Sequence, residues 1–180
     1  IKAEVEYTGC PVVFRTRFVI EGDPKVSILI PNKDHTEDLN KCVTSILERS
    51  TWKNIQIIVI ENNSEKEETF HYYEELEKRY PQAKVVTWDG PFNYSAINNF
   101  GAKYADGDYF LLLNNDTEVI TPEWMENMMG YCQREDVGIV GAKLLYPDNT
   151  VQHAGVVVGI AGFAGHILTG YDRYATGYLW

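Results

Sequence analysis

Residues 108–116 read DYFLLLNND, a largely apolar run that ends in three polar side chains. Short apolar runs bounded by polar or turn residues are typical of strands that are buried on both faces. Gly107 precedes the run, and Asn114, Asn115 and Asp116 complete it. The segment predicts a core strand over 108–113 that delivers two amides and an acid to the point where the strand ends.

Three further β-rich runs precede this one in the chain, at residues 26–30, 55–60 and 84–88. Pro31 is expected to end the first run, because proline has no N–H to donate to a sheet. The segments between the runs carry apolar residues at helical spacing. This alternation predicts an α/β domain with a mostly parallel sheet covered by helices on both faces. Helices are predicted over 36–49, from 64 to about 80, over 95–105, and from 121 onward.

Local signals set the expected ends of these helices. Ser64 and Glu67 have the spacing of a capping box. Thr121 and Pro122 favour a helix start, with threonine as N-cap and proline in the first helical position. Two more β-rich segments, 137–146 and 151–158, flank the turn sequence Pro-Asp-Asn at 147–149, which predicts a short hairpin. The glycine-rich stretch 155–170 has no strong helical or strand pattern.

The composition restricts the possible functions. The chain has 180 residues, and its 16 Lys and Arg against 26 Asp and Glu give a formal charge of −10. This balance argues against a broad surface for nucleic acid or for an anionic membrane, since both need clustered basic residues. The longest weakly polar stretch, 154–165, is too short and too rich in glycine to span a bilayer. The chain is expected to contain no transmembrane segment.

The cysteines and the first residues of the chain indicate the state of its thiols and its origin. Cys10, Cys42 and Cys132 have no CxxC or Cys/His spacing, which favours free thiols over disulfides or zinc. Residue 1 is not methionine and no signal-type apolar region follows it, so we expect a piece cut from a longer protein. Residues 1–24 are interpreted as a lead-in segment and 25–180 as part of a single domain whose C-terminal part is expected to be missing.

Acidic side chains follow the predicted strands. Residues 31–34 read PNKD, without the glycines of a dinucleotide-binding or P-loop motif. Glu61, Asp89 and Asp116 lie at or near the ends of the next three strands. In a parallel sheet these ends share one edge, where ligands bind. Such residues also cap helices and form turns, and for any one cluster that explanation is equally good. Together they favour a divalent cation that bridges carboxylates to a diphosphate.

The strand ends resemble those of family 2 glycosyltransferases with the GT-A fold, in the bacterial cell-surface polysaccharide branch (O-antigen or rhamnan type). The resemblance covers about residues 25–170 and depends on five segments in a fixed order. They are VSILIP at 26–31, IENNS at 60–64, FNYSAINN at 92–99, GDYFLLLNND at 107–116, and IVGAKLLYP at 139–147 with QHAG at 152–155.

The resemblance implies a site for a nucleotide-diphosphate sugar of the UDP or dTDP type, with Mg²⁺ or Mn²⁺ as cofactor. The family's DxD-type motif falls on residues 114–116, where Asp116 is the implied metal ligand and Glu118 and His166 are additional candidates. His153 and His166 are nevertheless interpreted as hydrogen-bonded structural histidines in preference to ligands. The residues predicted to bind the nucleotide sugar are Pro31, Asn32, Lys33, Glu61, Asn63, Asp89, Asn93, Asn98, Asn114, Asn115 and Asp116.

Members of this family carry a second acidic motif downstream, whose carboxylate deprotonates the acceptor hydroxyl. No acid follows Asp172 in this chain. The base and the acceptor-binding part are therefore expected beyond Trp180, in the remaining part of the same polypeptide. The 180 residues alone are expected to transfer sugar weakly or not at all.

The leading hypothesis is an inverting, metal-assisted transfer of sugar to a glycan or other hydroxyl acceptor. It is expected to take place in the cytoplasm, with the inner face of the membrane as the alternative for the full-length protein. The alternative is a noncatalytic module that binds a nucleotide sugar or a glycan. A sugar nucleotidyltransferase, a third possibility, would need a glycine-rich basic loop after the first strand, which the PNKD sequence lacks.

Overall fold

The chain folds into short strands and helices that form two compact units. The structure is a computed structural model that describes residues 1–9 and 11–175, apart from the side chain of Ala161. Residues 19–126 form one unit, here the sheet unit, and residues 1–18 with those from 127 onward form the other, here the hairpin unit. In chain order the elements are β1 (Ala3–Tyr7), β2 (Phe14–Phe18), β3 (Val26–Asn32), α1 (Thr36–Arg49), β4 (Ile55–Glu61), α2 (Glu67–Arg79), β5 (Ala83–Thr87), α3 (Tyr94–Gly101), β6 (Tyr109–Leu112), α4 (Trp124–Cys132), β7 (Leu144–Leu145), β8 (Val151–His153), β9 (Val156–Val158) and β10 (Ala164–His166).

The sheet unit is built on four parallel strands in the order β5-β4-β3-β6. Leu29, Ile58 and Val86 share a core cluster with Ile97 of α3, so α3 covers that face. The central strands are also buried on the opposite face, where Ile28, Ile30 and Ile57 are inaccessible to solvent. The prediction of an α/β fold with a parallel sheet flanked by helices is confirmed.

The strand β6 lies at the edge of this sheet and is covered less completely than predicted. Phe110 and Leu112 remain 60% and 52% exposed. The prediction that helices cover both faces of the whole sheet is wrong for this strand. A continuous apolar run does not distinguish an edge strand from a central one, because pairing partners cannot be read from the run itself.

Pro31 does not end β3, which continues to Asn32. The strand β6 pairs with β3 only as far as Leu29, so beyond that point β3 has a neighbour on one side only, β4. A proline that lacks its N–H costs no ladder hydrogen bond on the free side of a strand. The predicted stop at Pro31 is therefore corrected.

Three helix ends also differ from their sequence signals. The helix α2 begins at Glu67 with Lys66 as N-cap, and Ser64 is used elsewhere, so there is no capping box. The helix α3 ends at Gly101 and passes into a 3₁₀ turn over Ala102–Tyr104. The helix α4 begins at Trp124, after a turn in which the Trp124 amide donates to the Thr121 carbonyl.

The hairpin unit contains most of α4 together with short antiparallel strand pairs. Strands β1 and β2 pair with each other within the predicted lead-in segment. Strands β7 and β8 form the predicted hairpin around the turn at 147–149, although only Leu144 and Leu145 of the β-rich segment 137–146 are in a strand. The glycine-rich stretch contains β10, which pairs with β9. No helix among the described residues is long and apolar enough to cross a membrane.

Candidate functional site at the carboxyl edge of the sheet

The carboxyl ends of the four parallel strands meet at one edge of the sheet unit, as predicted. The register places Asn32 at the end of β3 beside Glu61 at the end of β4. On the other side of β4, Glu61 pairs with Thr87 at the end of β5. The side-chain amides of Asn62 and Asn63 donate to the carbonyl of Gly90 at 3.0 and 3.1 Å. Because β6 also runs parallel to β3, the loop after β6 lies on the same edge as Glu61.

Glu61 is buried at this edge with 3% of its surface exposed. Its Oε1 accepts from the Ser64 amide at 2.6 Å, and its Oε2 accepts from the Ser64 hydroxyl and from the Tyr73 hydroxyl, the latter at 2.7 Å. An ionised carboxylate has about four acceptor positions. Three are used within the chain, which leaves one for a ligand.

Asn32 connects Glu61 to the loop that follows β6. Its Nδ2 donates to the Tyr73 hydroxyl at 2.8 Å and to the Asp34 carbonyl at 2.7 Å. Its Oδ1 accepts from Nδ2 of Asn115 at 2.6 Å. A buried, fully hydrogen-bonded amide of this kind holds its neighbours in one arrangement. Asn32 was predicted as a ligand-binding residue, and the structure places it as the central member of a buried network.

Asp34 holds the amino end of α2. Its Oδ1 accepts from the backbone N–H groups of Glu65 and Lys66 at 3.1 Å each, and from the Thr69 hydroxyl. Partial desolvation opposes the ionisation of Asp34, but the hydrogen bonds from Lys66 and Glu65 outweigh it, so the pKa of this carboxyl lies below its usual value. The residue that satisfies the helix end is thus some thirty positions away in sequence.

The loop after β6 contains the residues predicted to form the DxD-type motif. Asn115 is tied to Asn32, while Asn114 and Asp116 are exposed. The backbone carbonyl of Asn114 accepts from the Thr117 hydroxyl at 3.0 Å. Among the described residues, no side chain or amide forms a hydrogen bond or ion pair with the Asp116 carboxylate. Asp116 is therefore available to a ligand that lies at this edge.

One face of α1 fixes this loop to the sheet unit. The Sγ of Cys42 lies 3.7 Å from the Asn114 carbonyl, and the Ser45 hydroxyl accepts from the Val119 amide at 3.1 Å. Arg49 donates to the Val119 carbonyl at 2.8 Å and pairs with Glu118 at 3.8 Å. Burial raises the pKa of the Cys42 thiol to about 11, so it is neutral at physiological pH.

The predicted residues near the end of β5 occupy different environments. Asp89 is exposed and has no hydrogen-bond partner among the described residues. Asn93 caps α3, where its Oδ1 accepts from the Ala96 amide at 3.0 Å. Asn98 is 5% exposed; its Nδ2 donates to the Tyr94 carbonyl, and its Oδ1 has no partner in the described part of the chain. An unsatisfied buried oxygen in a native protein indicates a missing partner such as a water or a ligand.

Two predicted residues near the end of β3 have structural partners. Pro31 pairs with Ile60 in the parallel ladder. Lys33 is half exposed and forms an ion pair with Glu65 at 3.2 Å. An exposed pair of this kind is weak, so the Lys33 ammonium is free to exchange Glu65 for another anion.

Both histidines considered as ligands belong to the hairpin unit. The Nδ1 atoms of His153 on β8 and His166 on β10 are 2.8 Å apart, so one ring donates to the other. This contact agrees with the interpretation of the two residues as hydrogen-bonded structural histidines. The predicted catalytic base beyond Trp180, and Cys10, lie outside the described residues, while Cys42 and Cys132 are free cysteines as predicted.

Sequence reasoning missed Tyr73, Asn62 and Asp34. Tyr73 lies on the inner face of α2, where an aromatic residue normally indicates only core packing. Asn62 is buried and holds the loop after β5 through the Trp88 and Gly90 carbonyls. Asn62 could have been predicted from its position directly after a buried strand. The role of Asp34 could not, because it depends on which helix end Asp34 faces in the folded chain.

Residues 27–157 match the profile of a known family, described as glycosyl transferase family 2. The chain belongs to this family. Family 2 membership confirms the resemblance drawn from the five sequence segments, and most of the matched region is the sheet unit with its carboxyl edge.

Two curated proteins are similar to this family 2 chain over most of its length. O-antigen biosynthesis protein RfbC of Myxococcus xanthus is 47% identical over 156 residues, which are 87% of this chain and 12% of the relative. Uncharacterized protein y4gI of Sinorhizobium fredii is 42% identical over 169 residues, or 94% of this chain and 19% of the relative. The chain thus spans less than a fifth of the length of either relative.

A solved structure shares the fold. The mannosyltransferase PcManGT of Pyrobaculum calidifontis, in complex with GDP-Man and Mn²⁺, matches 71% of this chain and 37% of its own with a TM-score of 0.62 and 14% identity. At this identity the likeness establishes the GT-A fold alone.

The carboxyl edge fits a divalent cation bound in part by substrate. Among the residues that the structure describes, no three His, Cys, Asp or Glu side chains form a metal-binding group. Mg²⁺ commonly takes one or two carboxylates, with phosphates and waters as its other ligands. Asp116 is exposed and unpartnered, while Glu118 is engaged with Arg49. The donor set therefore suits a cation shared with a diphosphate rather than one held by the protein alone.

Proposed function

We propose that this chain is the donor-binding part of a metal-dependent, inverting glycosyltransferase that uses a nucleotide-diphosphate sugar. The observation that carries the proposal is the arrangement at the carboxyl edge of the sheet. There the free Asp116 carboxylate adjoins Asn115, and Asn115 is tied through Asn32 to the network around Glu61. This arrangement supports one site that accepts both a nucleoside and a diphosphate.

The nucleoside is assigned to the ends of β3 and β4. Glu61 retains one acceptor position for a base or ribose donor. Pro31, Lys33 and Asn63 border the same loops, and the Lys33 ammonium, held only by an exposed ion pair, is available to a phosphate. Asp89, Asn93 and Asn98 are assigned to the sugar. The unpartnered Oδ1 of Asn98 suits a sugar hydroxyl, since it is a buried acceptor without a donor.

The diphosphate is assigned to the loop after β6, where Asp116 would hold Mg²⁺ or Mn²⁺. The cation supplies positive charge opposite the departing diphosphate. Asn114 and Asn115 offer amides to the ribose. In the transfer itself, the acceptor oxygen bonds to the anomeric carbon while the bond to the diphosphate breaks, and the acceptor proton passes to a base. We place that base, and the acceptor site, outside these 180 residues.

The similar proteins support the class of substrate. The name of the Myxococcus relative refers to O-antigen biosynthesis, which favours a glycan acceptor in surface polysaccharide assembly. The complex of the Pyrobaculum mannosyltransferase with GDP-Man and Mn²⁺ favours a nucleotide-sugar donor and a divalent cation. We propose UDP or dTDP as the nucleotide, and the cytoplasm as the location of the reaction.

Nucleotide titration tests this function. We expect UDP or dTDP, but not GDP, to raise the thermal unfolding temperature in the presence of Mn²⁺ or Mg²⁺ and to lose that effect in EDTA. At a nucleotide concentration of about 100 times Kd the stabilisation is about 2.7 kcal/mol. The absence of any effect from all three nucleotides would overturn the proposal, and an effect from GDP alone would overturn the choice of base.

A second measurement separates transferase from binding module. Metal-dependent release of nucleoside diphosphate from the matching nucleotide sugar, by a polypeptide extended beyond residue 180, is expected of the enzyme. Tight binding without any such release would favour the noncatalytic alternative. The extended polypeptide should exceed the 180-residue chain in transfer by at least the 10²–10⁴-fold that a general base typically contributes.

A further inference from the structure

Tyr73 lies between the two halves of the proposed donor site. Its hydroxyl donates to Oε2 of Glu61 at 2.7 Å and accepts from Nδ2 of Asn32 at 2.8 Å. Asn32 in turn accepts from Asn115 at 2.6 Å. A single chain of hydrogen bonds therefore runs from the acid at the end of β4 to the loop after β6.

The chemistry of the groups fixes the direction of this chain. An ionised carboxylate only accepts, so the single hydroxyl proton of Tyr73 is directed to Glu61. Burial raises the pKa of Tyr73, which keeps that proton in place at neutral pH. The Tyr73 oxygen must then accept from Asn32, and the Asp34 carbonyl, also an acceptor, requires the same Asn32 orientation. Oδ1 of Asn32 is left to accept from Asn115.

The last link determines what Asn115 presents to a ligand. One N–H of its Nδ2 donates to Asn32, which fixes the orientation of the amide, and its Oδ1 has no hydrogen-bond partner in the described part of the chain. The Asn115 side chain therefore offers an acceptor oxygen immediately before Asp116. This is the kind of group that a ribose hydroxyl or a hard cation would use.

We propose that Tyr73 is a positioning residue for donor binding. Because Tyr73 donates its proton to Glu61, it fixes the orientation of the Asn32 amide, and Asn32 in turn orients the Asn115 amide. The inference rests on the proposed function, because it assumes that the loop at 114–116 binds a nucleoside diphosphate with its cation. In the described part of the chain, no hydrogen bond of the Tyr73 hydroxyl reaches the loop, and on this assignment Tyr73 does not bind the substrate. Its effect on binding therefore passes through Asn32.

The test compares two neighbouring tyrosines of α2. Tyr73→Phe removes the hydroxyl from the chain, while Tyr72→Phe removes one whose contact with Asn40 is long, at 3.4 Å. We expect Tyr73→Phe to weaken UDP binding with Mn²⁺ about tenfold, the effect of one lost hydrogen bond within a buried network. Tyr72→Phe should change the Kd less than twofold. The Kd is measured by calorimetric titration at a temperature at which every variant is fully folded. If the wild type prefers dTDP or GDP, that nucleotide replaces UDP.

A double-mutant cycle with Asn115→Ala distinguishes positioning from general weakening. If Tyr73 acts through Asn115, Tyr73→Phe should cost less than threefold in affinity once Asn115 is absent, since residues in one network are not additive. A full tenfold cost in that background would overturn the inference. So would equal affinities of Tyr73→Phe and the wild type. Asn32→Ala interrupts the same chain without touching Glu61, and it serves as the second variant should Tyr73→Phe not fold.

Failure of the proposed function has a different signature. If the wild type binds none of the three nucleotides with Mn²⁺, the donor-site assignment and this inference are both overturned. If the wild type binds and the two tyrosine variants behave alike, the inference alone is overturned. A nuclear magnetic resonance spectrum of the side-chain amides provides a readout without nucleotide. The Asn115 NH₂ resonances should shift in Tyr73→Phe and not in Tyr72→Phe. Unchanged resonances in Tyr73→Phe would contradict the inference that Tyr73 orients Asn115.

Discussion

At the scale of single residues, the acidic side chains at the carboxyl edge differ in what they already bind. Glu61 is hydrogen-bonded to Ser64 and Tyr73, and Glu118 forms a long, exposed ion pair with Arg49 at 3.8 Å. Asp89 and Asp116 have no hydrogen-bond or ion-pair partner among the described residues. Only Asp116 adjoins a side chain tied to the Glu61 network, namely Asn115. Asp116 is therefore the residue on which metal-dependent binding should depend most.

Replacement of Asp116 by Asn tests this assignment. The change keeps the shape of the side chain and removes the charge, so we expect UDP affinity in the presence of Mn²⁺ to fall at least tenfold. An exposed substitution of this kind changes stability by about 0.5 kcal/mol at most. Calorimetric titration measures the affinity, and urea unfolding measures the stability.

The matched control is Glu118→Gln, which lies two residues away and removes one charge from an exposed ion pair. Its nucleotide affinity should stay within twofold of the wild type, since such pairs contribute little. Equal losses in the two variants would show that the overall charge of the loop matters rather than the Asp116 carboxylate. An unchanged affinity in Asp116→Asn would remove Asp116 from the metal site.

At the scale of elements, α1 is the support of the loop after β6. Ser45 is buried, and its hydroxyl both donates to the Cys42 carbonyl and accepts from the Val119 amide. Ser45→Ala leaves the buried Val119 amide without an acceptor. We expect the free energy of unfolding to fall by about 1–3 kcal/mol, the usual cost of such a group. Urea unfolding at constant m-value measures the change.

Thr44→Ala is the matched control in the same helix, because the Thr44 hydroxyl forms no hydrogen bond with the described residues and alanine favours helix. Its stability should be unchanged or slightly higher. If Ser45→Ala lowers stability no more than Thr44→Ala, the Val119 amide finds another acceptor and the support from α1 is weaker than the geometry indicates.

The elements also show how far the sequence patterns extend. The range of α1 was predicted to the residue from its apolar spacing, and its acidic first turn and basic last turn agree with that range. The start of α2 was predicted wrongly, because Asp34 from a distant loop takes the place of the local capping box. The strand β3 passes Pro31 because β6 stops pairing at Leu29. In each error a long-range contact outweighed a local signal.

The candidate site was predictable for the same reason that the sheet was. Parallel strands bring their carboxyl ends together, so residues far apart in sequence, such as Asn32 and Asn115, were expected at one edge. Which of them face a ligand and which hold the others in place was not predictable. Tyr73 and Glu61 show this most clearly, since their hydrogen bonds depend on the packing of α2 against the sheet.

At the scale of the whole molecule, the formal charge of −10 opposes the approach of an anionic nucleotide. If a bound cation is what overcomes this repulsion, binding with and without metal should respond differently to salt. In EDTA, residual UDP binding should strengthen as NaCl rises from 20 to 200 mM, because screening at a Debye length of about 10 Å or less reduces the repulsion. In Mn²⁺ the salt dependence should be smaller, since the metal neutralises part of the diphosphate charge.

Titrations of UDP across this range, in EDTA and in Mn²⁺, measure the two salt dependences. Uncharged uridine, which is expected to show no dependence, is the control. A metal-free affinity that instead weakens with salt would mean that local cations such as Lys33 attract the phosphates, and the requirement for metal at Asp116 would then lose its electrostatic basis.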